Sequence, residues 1–211
     1  MNTFKMKTSW NEITFNEFNQ IIQIASADIP QSYKTVNLIS LLSGMSVNEL
    51  ENLPLSQFTS MSAKLSFLDD IPDKVIDHKD RYKVNGREYY LQADIPSIIT
   101  AQYIDYLNFS QEEDKVLTKL VSCFLVPINH KYGDGYDNEV VIKDVGDLPY
   151  MDVQAIAFFL RRQYGLFTHI LIDCLKAETK KMKNKDSKKT FKQLTHLDNM
   201  VFSHTFSKSW K

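Results

Sequence analysis

Apolar residues recur along this chain mostly at the spacing of a helix. Between Ile13 and Ala25 they fall at Phe15, Phe18, Ile21, Ile22 and Ala25, which places them on one face of a helix with 3.6 residues per turn. Thr14-x-x-Glu17 at its start is a capping box, in which hydroxyl and carboxylate each satisfy a backbone donor that the first turn leaves unpaired. Pro30 closes this element. A second helix is expected from about Ser32 to Leu42, stopping at Gly44 because glycine adopts the left-handed conformation that ends helices. Ser46-Val47-Asn48-Glu49 is a second capping box and predicts a short helix. Pro54 begins the next helix, with Ser56 as its expected cap. Asp69 to Asp80 is polar, contains Pro72, and reads as a linker.

The period then changes. Arg81 to Leu91 reads as a β-hairpin around Asn85-Gly86, since a type I′ turn needs positive φ at both central residues. A two-residue loop sets Val84 opposite Arg87, Lys83 opposite Glu88 and Tyr82 opposite Tyr89, giving one ion pair and one aromatic pair across the strands. A hairpin of two strands is marginal alone in water, so it must pack on helices or join another sheet.

Helical spacing resumes at Ile99 to Phe109. Glu112 to Val126 reads as a strongly amphipathic helix ending at Pro127, and Asn129 to Gly146 as a loop rich in Gly and Asp. Pro149 opens a long apolar helix expected to reach about Lys185. The last stretch is polar but carries Phe191, Leu194, Leu197, Val201, Phe202, Phe206 and Trp210. The first four are spaced three, three and four apart, as on a helix.

One order occurs twice: an Ile-Thr helix start (Ile13-Thr14, Ile99-Thr100), an apolar helix, a loop, and a Leu-Pro helix start (Leu53-Pro54, Leu148-Pro149). The expected fold is mainly α, with two related helical units separated by a β-hairpin, a long C-terminal helix and an extended tail. The expected division is 1–70 for the first helical unit, 71–98 for linker and hairpin, 99–185 for the second, and 186–211 for a basic and aromatic C-terminal arm. What repeats is a way of starting helices and burying their faces, so the repeat describes a scaffold.

Composition changes this picture little and charge somewhat more. With 211 residues, 43% hydrophobic and 24% charged, the chain has the make-up of a globular protein with a sizeable core. Its net charge of −1 gives no global field to steer a polyanion. Yet Lys176 to Lys192 holds eight lysines against Glu178 and Asp186, a net of +6, so the remainder is acidic. Cys123 and Cys174 lie in apolar runs and read as buried free thiols. No signal peptide is expected, because Met1-Asn2-Thr3-Phe4-Lys5 lacks an apolar core followed by a small-residue cleavage site, and no membrane span, because Arg161-Arg162 ends the apolar run that starts at Ala155; a cytosolic protein where it is made is the expectation.

Candidate chemistry is sparse. Lys131 to Glu139, with Asp134, Asp137 and two glycines, lacks the alternate ligands and terminal bidentate Glu of an EF-hand and reads as a turn. The histidines His78, His130, His169, His196 and His204 show no zinc spacing. No phosphate loop, dinucleotide fingerprint or nucleophile elbow is present. Asp69-Asp70 and Glu112-Glu113 sit at a linker and a helix start, where acids suit the helix dipole. No catalytic residue, metal or cofactor is assigned. Partner binding is assigned to Tyr82, Tyr89, Phe191, Leu194, Leu197, Val201, Phe202, Phe206 and Trp210. A second reading gives Lys180, Lys181, Lys183, Lys185, Lys188 and Lys189 a non-specific, salt-sensitive contact with a nucleic-acid backbone.

Trp10-Asn11-Glu12-Ile13-Thr14, then Leu41-Leu42-Ser43-Gly44 with Glu49-Leu50 and Leu53-Pro54-Leu55, then Tyr82 to Tyr90 around Asn85-Gly86, then Ala101-Gln102-Tyr103-Ile104-Asp105 resemble small proteins of tailed bacteriophages. The similarity is to structural and tail-assembly proteins of crAss-like phages of gut Bacteroidales, over about residues 10 to 175. The resemblance implies a virion component assembled in the host cytoplasm, with no enzymatic activity and no cofactor. It further implies other phage structural proteins as partners in a homo- or hetero-oligomer. It leaves open a head–tail connector subunit (portal or neck ring), a protein carried within the particle, and a tail assembly chaperone that is not retained.

Overall fold

A computed structural model describes residues 5–70, 72, 77–94, 97–112 and 116–163. The chain is mainly helical with a small three-stranded antiparallel sheet. Four helices come first: α1 (Phe15–Ser26), α2 (Gln31–Ser43), α3 (Val47–Glu51) and α4 (Leu55–Ala63). Short 3-10 turns precede and follow them at Trp10–Glu12 and Lys64–Asp69. Strands β1 (Arg81–Val84) and β2 (Arg87–Leu91) follow, then α5 (Thr100–Ser110), α6 (Val116–Ser122), β3 (Leu125–Pro127) and α7 (Asn138–Asp147). A last helix, α8, is described over residues 150–163. Among the described residues two compact units form: those within 1–77 with 144–155, and those within 78–143 with 156–163.

Local chemistry starts and stops these helices largely as expected. Both capping boxes form: Thr14 Oγ1 accepts the Glu17 amide while the Glu17 carboxylate accepts the Thr14 amide, and Ser46 and Glu49 do the same. The second box holds the Glu49 carboxyl below its usual range, first through the Ser46 hydroxyl and then through the Ser46 amide. Gly44 ends α2 in the left-handed region with φ of 71°, where a Cβ would be strained. The start of α4 is different from expectation. Pro54 itself is the N-cap, without a side-chain cap bond, and Ser56 lies inside the helix. Proline suits that place because its fixed φ and missing N–H cost a helix start nothing.

In the first unit the core gathers Trp10, Ile13, Phe15, Ile39, Leu42, Leu148 and Tyr150, all buried. Two distant helix starts are joined there. The Phe15 amide donates to the Leu148 carbonyl at 2.9 Å and the Tyr150 amide donates to the Ile13 carbonyl at 2.8 Å, a β-bridge of Thr14 with Pro149. The Trp10 indole N–H donates to the carbonyls of Phe67 (3.0 Å) and Asp70 (2.8 Å), tying the chain beyond α4 to the N-terminal turn.

In the second unit the hairpin has the expected register, from Val84 opposite Arg87 to Tyr82 opposite Tyr89. Asn85 and Gly86 have φ of 50° and 76°, and the Lys83–Glu88 ion pair spans 3.5 Å. Two expectations are corrected here. The helix expected to Val126 ends at Ser122, and Leu125–Pro127 forms a third strand on β2, pairing Tyr90 with Val126 and Leu91 with Leu125. The run Val121 to Val126 is buried on all sides, so its sequence has no period to separate helix from strand. The segment expected to be loop to Gly146 becomes α7 after Asp137, whose carboxylate accepts the Glu139 amide at 2.9 Å. Val141, Ile142 and Val145 are its buried face.

Candidate protein-interaction site

In the first unit the helices leave apolar side chains uncovered. Leu55 is 79% exposed, Tyr33 62%, and Ile22, Ile29 and Val47 are exposed as well. Helix α4 has no buried residue at all, although Leu55, Phe58 and Met61 recur at the three-residue spacing of an apolar stripe. Between α2, α3 and α4 this surface dips into a groove of about 220 Å³, lined by Val36, Leu50, Glu51, Leu53, Leu55 and Phe58. Tyr33 precedes Val36 by one helical turn and extends the apolar rim along α2. The groove is smaller than a typical small-molecule pocket; it suits a single large side chain presented by another segment.

Hydrogen bonds hold α2 to the N-terminal segment and to the corner before α3. Lys7 donates its amide to the Leu42 carbonyl at 3.0 Å and its ammonium to the Glu17 carboxylate at 2.6 Å. Ser40 donates to the Met45 carbonyl at 2.6 Å, fixing the corner between α2 and α3. In the core of the same unit Phe18 stacks on Tyr150 with centroids 4.1 Å apart, and Trp10 meets Phe18, Phe67 and Tyr150 at 6.0, 5.6 and 5.5 Å. The Tyr150 hydroxyl is buried without a hydrogen-bond partner, and burial pushes its pKa up to about 12.

The second unit has a buried polar cluster. Gln102, wholly buried, donates its side-chain N–H to the Cys123 carbonyl at 2.7 Å. The Tyr132 hydroxyl donates to the Asp105 carboxylate at 2.7 Å. Burial pushes the Cys123 thiol up to about 12; a hydrogen bond with Tyr132 opposes the rise and the Asp105 charge adds to it. Tyr132 is also raised, by burial first and then by the Cys123 and Asp105 charges. The Tyr132–Asp105 bond ties the 128–137 loop to α5, and Gln102 ties α5 to the backbone at Cys123. A shallow cleft of about 390 Å³ lies nearby between β2 and α7, with Arg87, His130, Tyr136 and Val140 among its walls.

The residues assigned to partners from sequence divide sharply. Tyr82 and Tyr89 face each other across the hairpin as expected, but at 3% and 1% exposure both belong to the core of the second unit. Phe191, Leu194, Leu197, Val201, Phe202, Phe206 and Trp210 lie outside the described residues, as do Lys180, Lys181, Lys183, Lys185, Lys188 and Lys189, Cys174, and His169, His196 and His204. Of the remaining candidates, His78 packs on Phe159 with centroids 3.9 Å apart, and His130 meets the Tyr136 ring at 6.0 Å. In the 131–139 turn the Asp134 carboxylate accepts the Lys131 amide at 2.7 Å. Among the described residues no three His, Cys, Asp or Glu side chains gather as a metal would require, and no helix is long and apolar enough to cross a membrane. The exposed face of α2, α3 and α4 was not singled out from sequence. Its signal was present in the stripe Leu55, Phe58, Met61, which reads equally well as core. No family model, curated protein or solved structure matches the chain.

Proposed function

We propose that this chain is a non-enzymatic structural protein of a tailed-bacteriophage particle, acting by packing against copies of itself and other particle proteins. Its place is the head–tail connector, as part of a portal or neck ring, or the interior of the particle. The observation that carries the reading is the uncovered face of the first unit. A leucine 79% exposed at the first position of α4, followed by Phe58 and Met61 that are only half-buried, leaves an apolar stripe partly in water, and such faces mark protein-protein contact. The resemblance over residues 10 to 175 supplies the setting. The groove is a shape for an anchoring side chain, in keeping with interfaces whose binding energy is concentrated in a few buried anchors.

Mass spectrometry of purified particles tests the proposal. The protein is expected in stoichiometric copies, and removal of residues 186–211 is expected to reduce its incorporation. Presence in infected lysate with absence from particles would replace this reading with that of a tail assembly chaperone. Full incorporation without 186–211 would remove the arm from the mechanism.

A further inference from the structure

The sequence splits its charge between two places that could meet. Residues 1–77 and 144–155, the first compact unit, hold twelve acidic side chains against five basic ones, a net of −7. Lys176 to Lys192 carries a net of +6. The rest of the chain is therefore neutral, and the acidic body noted from sequence is one compact unit. That unit also bears the apolar groove, with Glu51 in its wall and Glu49 two residues away on α3.

The arm has the matching chemistry. Phe191 lies between Lys188, Lys189 and Lys192, and Leu194, Leu197 and Val201 follow at helical spacing. A segment of this kind offers an aromatic anchor, an apolar stripe and flanking cations, which is how an amphipathic helix enters a groove. The groove, about 220 Å³, has room for one such anchor, and its acidic wall suits the lysines beside it.

We infer that residues 188–202 of one copy dock in the Val36–Leu50–Phe58 groove of a neighbouring copy, with Phe191 as the anchor and Glu51 facing the lysines. The interface is heterologous, arm to groove, and propagates around a ring or along a stack. It deepens the proposed structural function, since it names the receptor for the arm in that assembly.

Carbodiimide cross-linking of the full-length protein, which joins contacting lysines and carboxylates directly, tests the inference. The expected product is a covalent dimer of the 24.5 kDa chain whose joined peptides pair Lys188, Lys189 or Lys192 with Glu51 or Glu49. Leu55→Ser and Phe191→Ser are each expected to lower its yield roughly tenfold, the factor that ~1.4 kcal/mol makes. Leu55→Ser is a safe probe, because the site is exposed and serine adds no carboxylate for the reagent. Phe191→Ser leaves the groove itself untouched. Cross-links confined to single chains, arm lysines joined to carboxylates elsewhere, or dimers indifferent to both substitutions would each overturn the inference. Particle composition is read separately. Protein in particles without the arm–groove cross-link refutes this contact alone, and the cross-link without protein in particles refutes only the phage setting.

Discussion

Tyr150 donates its amide to the carbonyl of Ile13 at 2.8 Å, across 137 residues of chain. With the return bond from Phe15 to Leu148, it joins the Ile13-Thr14 helix start to the Leu148-Pro149 helix start. The two Ile-Thr starts are not equivalent, since Thr14 caps α1 with its side chain whereas Ile99 is the N-cap of α5 and makes no side-chain cap bond. Each helix start leaves backbone groups that its own helix cannot satisfy, and at this junction each extended entry residue satisfies the other's.

The first prediction concerns that junction. Thr14→Ala removes the hydroxyl that accepts the Glu17 amide and is expected to destabilise the protein by about 1 kcal/mol. Chemical denaturation measures it, as a lower midpoint with an unchanged slope. A midpoint equal to that of the unsubstituted protein would mean that the cap contributes nothing once the β-bridge is made.

Caps of this kind were legible in the sequence because they are local. Thr14 and Glu17, Ser46 and Glu49, Gly44, and Asn85-Gly86 each act within four residues, where residue type and spacing carry the full instruction. The third strand was not legible. Leu125–Pro127 is a strand because it meets Tyr89 to Leu91, and nothing within an all-apolar run announces a partner more than thirty residues away. Gly146 and the acids of the 129–146 segment hid α7 in a similar way, their turn-like composition outweighing Val140, Val141 and Val145. The exposed groove escaped notice for the opposite reason: its pattern is that of a core helix, and exposure is decided by the rest of the chain.

Tyr150 gives a second prediction, because its ring and hydroxyl have opposite effects. The ring stacks on Phe18 at 4.1 Å, whereas the hydroxyl is buried with no partner. Tyr150→Phe is expected to leave stability unchanged or to raise it by up to about 1 kcal/mol, since a buried group that makes no hydrogen bond only costs its desolvation. Tyr150→Ala is expected to cost about 3–5 kcal/mol through the cavity it leaves. Equilibrium unfolding of both variants decides the matter. A Phe variant destabilised by more than 1 kcal/mol would mean that the hydroxyl has a bonding partner, such as an ordered water.

The hairpin turn offers a third. Gly86 has φ of 76° with open space around its Cβ position, so only backbone conformation penalises a larger residue. Gly86→Ala is expected to cost about 1–2 kcal/mol. The reverse turn chemistry makes Asn85→Gly, at φ of 50°, close to neutral. Circular dichroism melts of the two variants separate them, and equal losses would show that the Asn85 side chain contributes to the turn as much as the Gly86 backbone conformation does.

The last prediction follows from Cys123. Its folded pKa is raised from 9.0 to about 12, chiefly by burial. When the chain unfolds above pH 9 the thiol loses its proton, while in the folded state it keeps it. The stability linked to this group is therefore complete below pH 9 and is lost as pH rises from 9 toward 12. The slope for one proton is about 1.4 kcal/mol per pH unit. Between pH 9 and 10 the thiol is separated from the buried tyrosines Tyr132, Tyr136 and Tyr150, whose raised values add the same sign of dependence only above pH 10. Unfolding free energies of the unsubstituted protein and of Cys123→Ala across pH 8 to 10 test this. The alanine variant starts lower because of its cavity but falls less steeply, so the two curves converge with rising pH. Parallel curves would show that the folded protein lets this thiol ionise as readily as the unfolded chain does, and that the Gln102–Cys123–Tyr132–Asp105 cluster admits water.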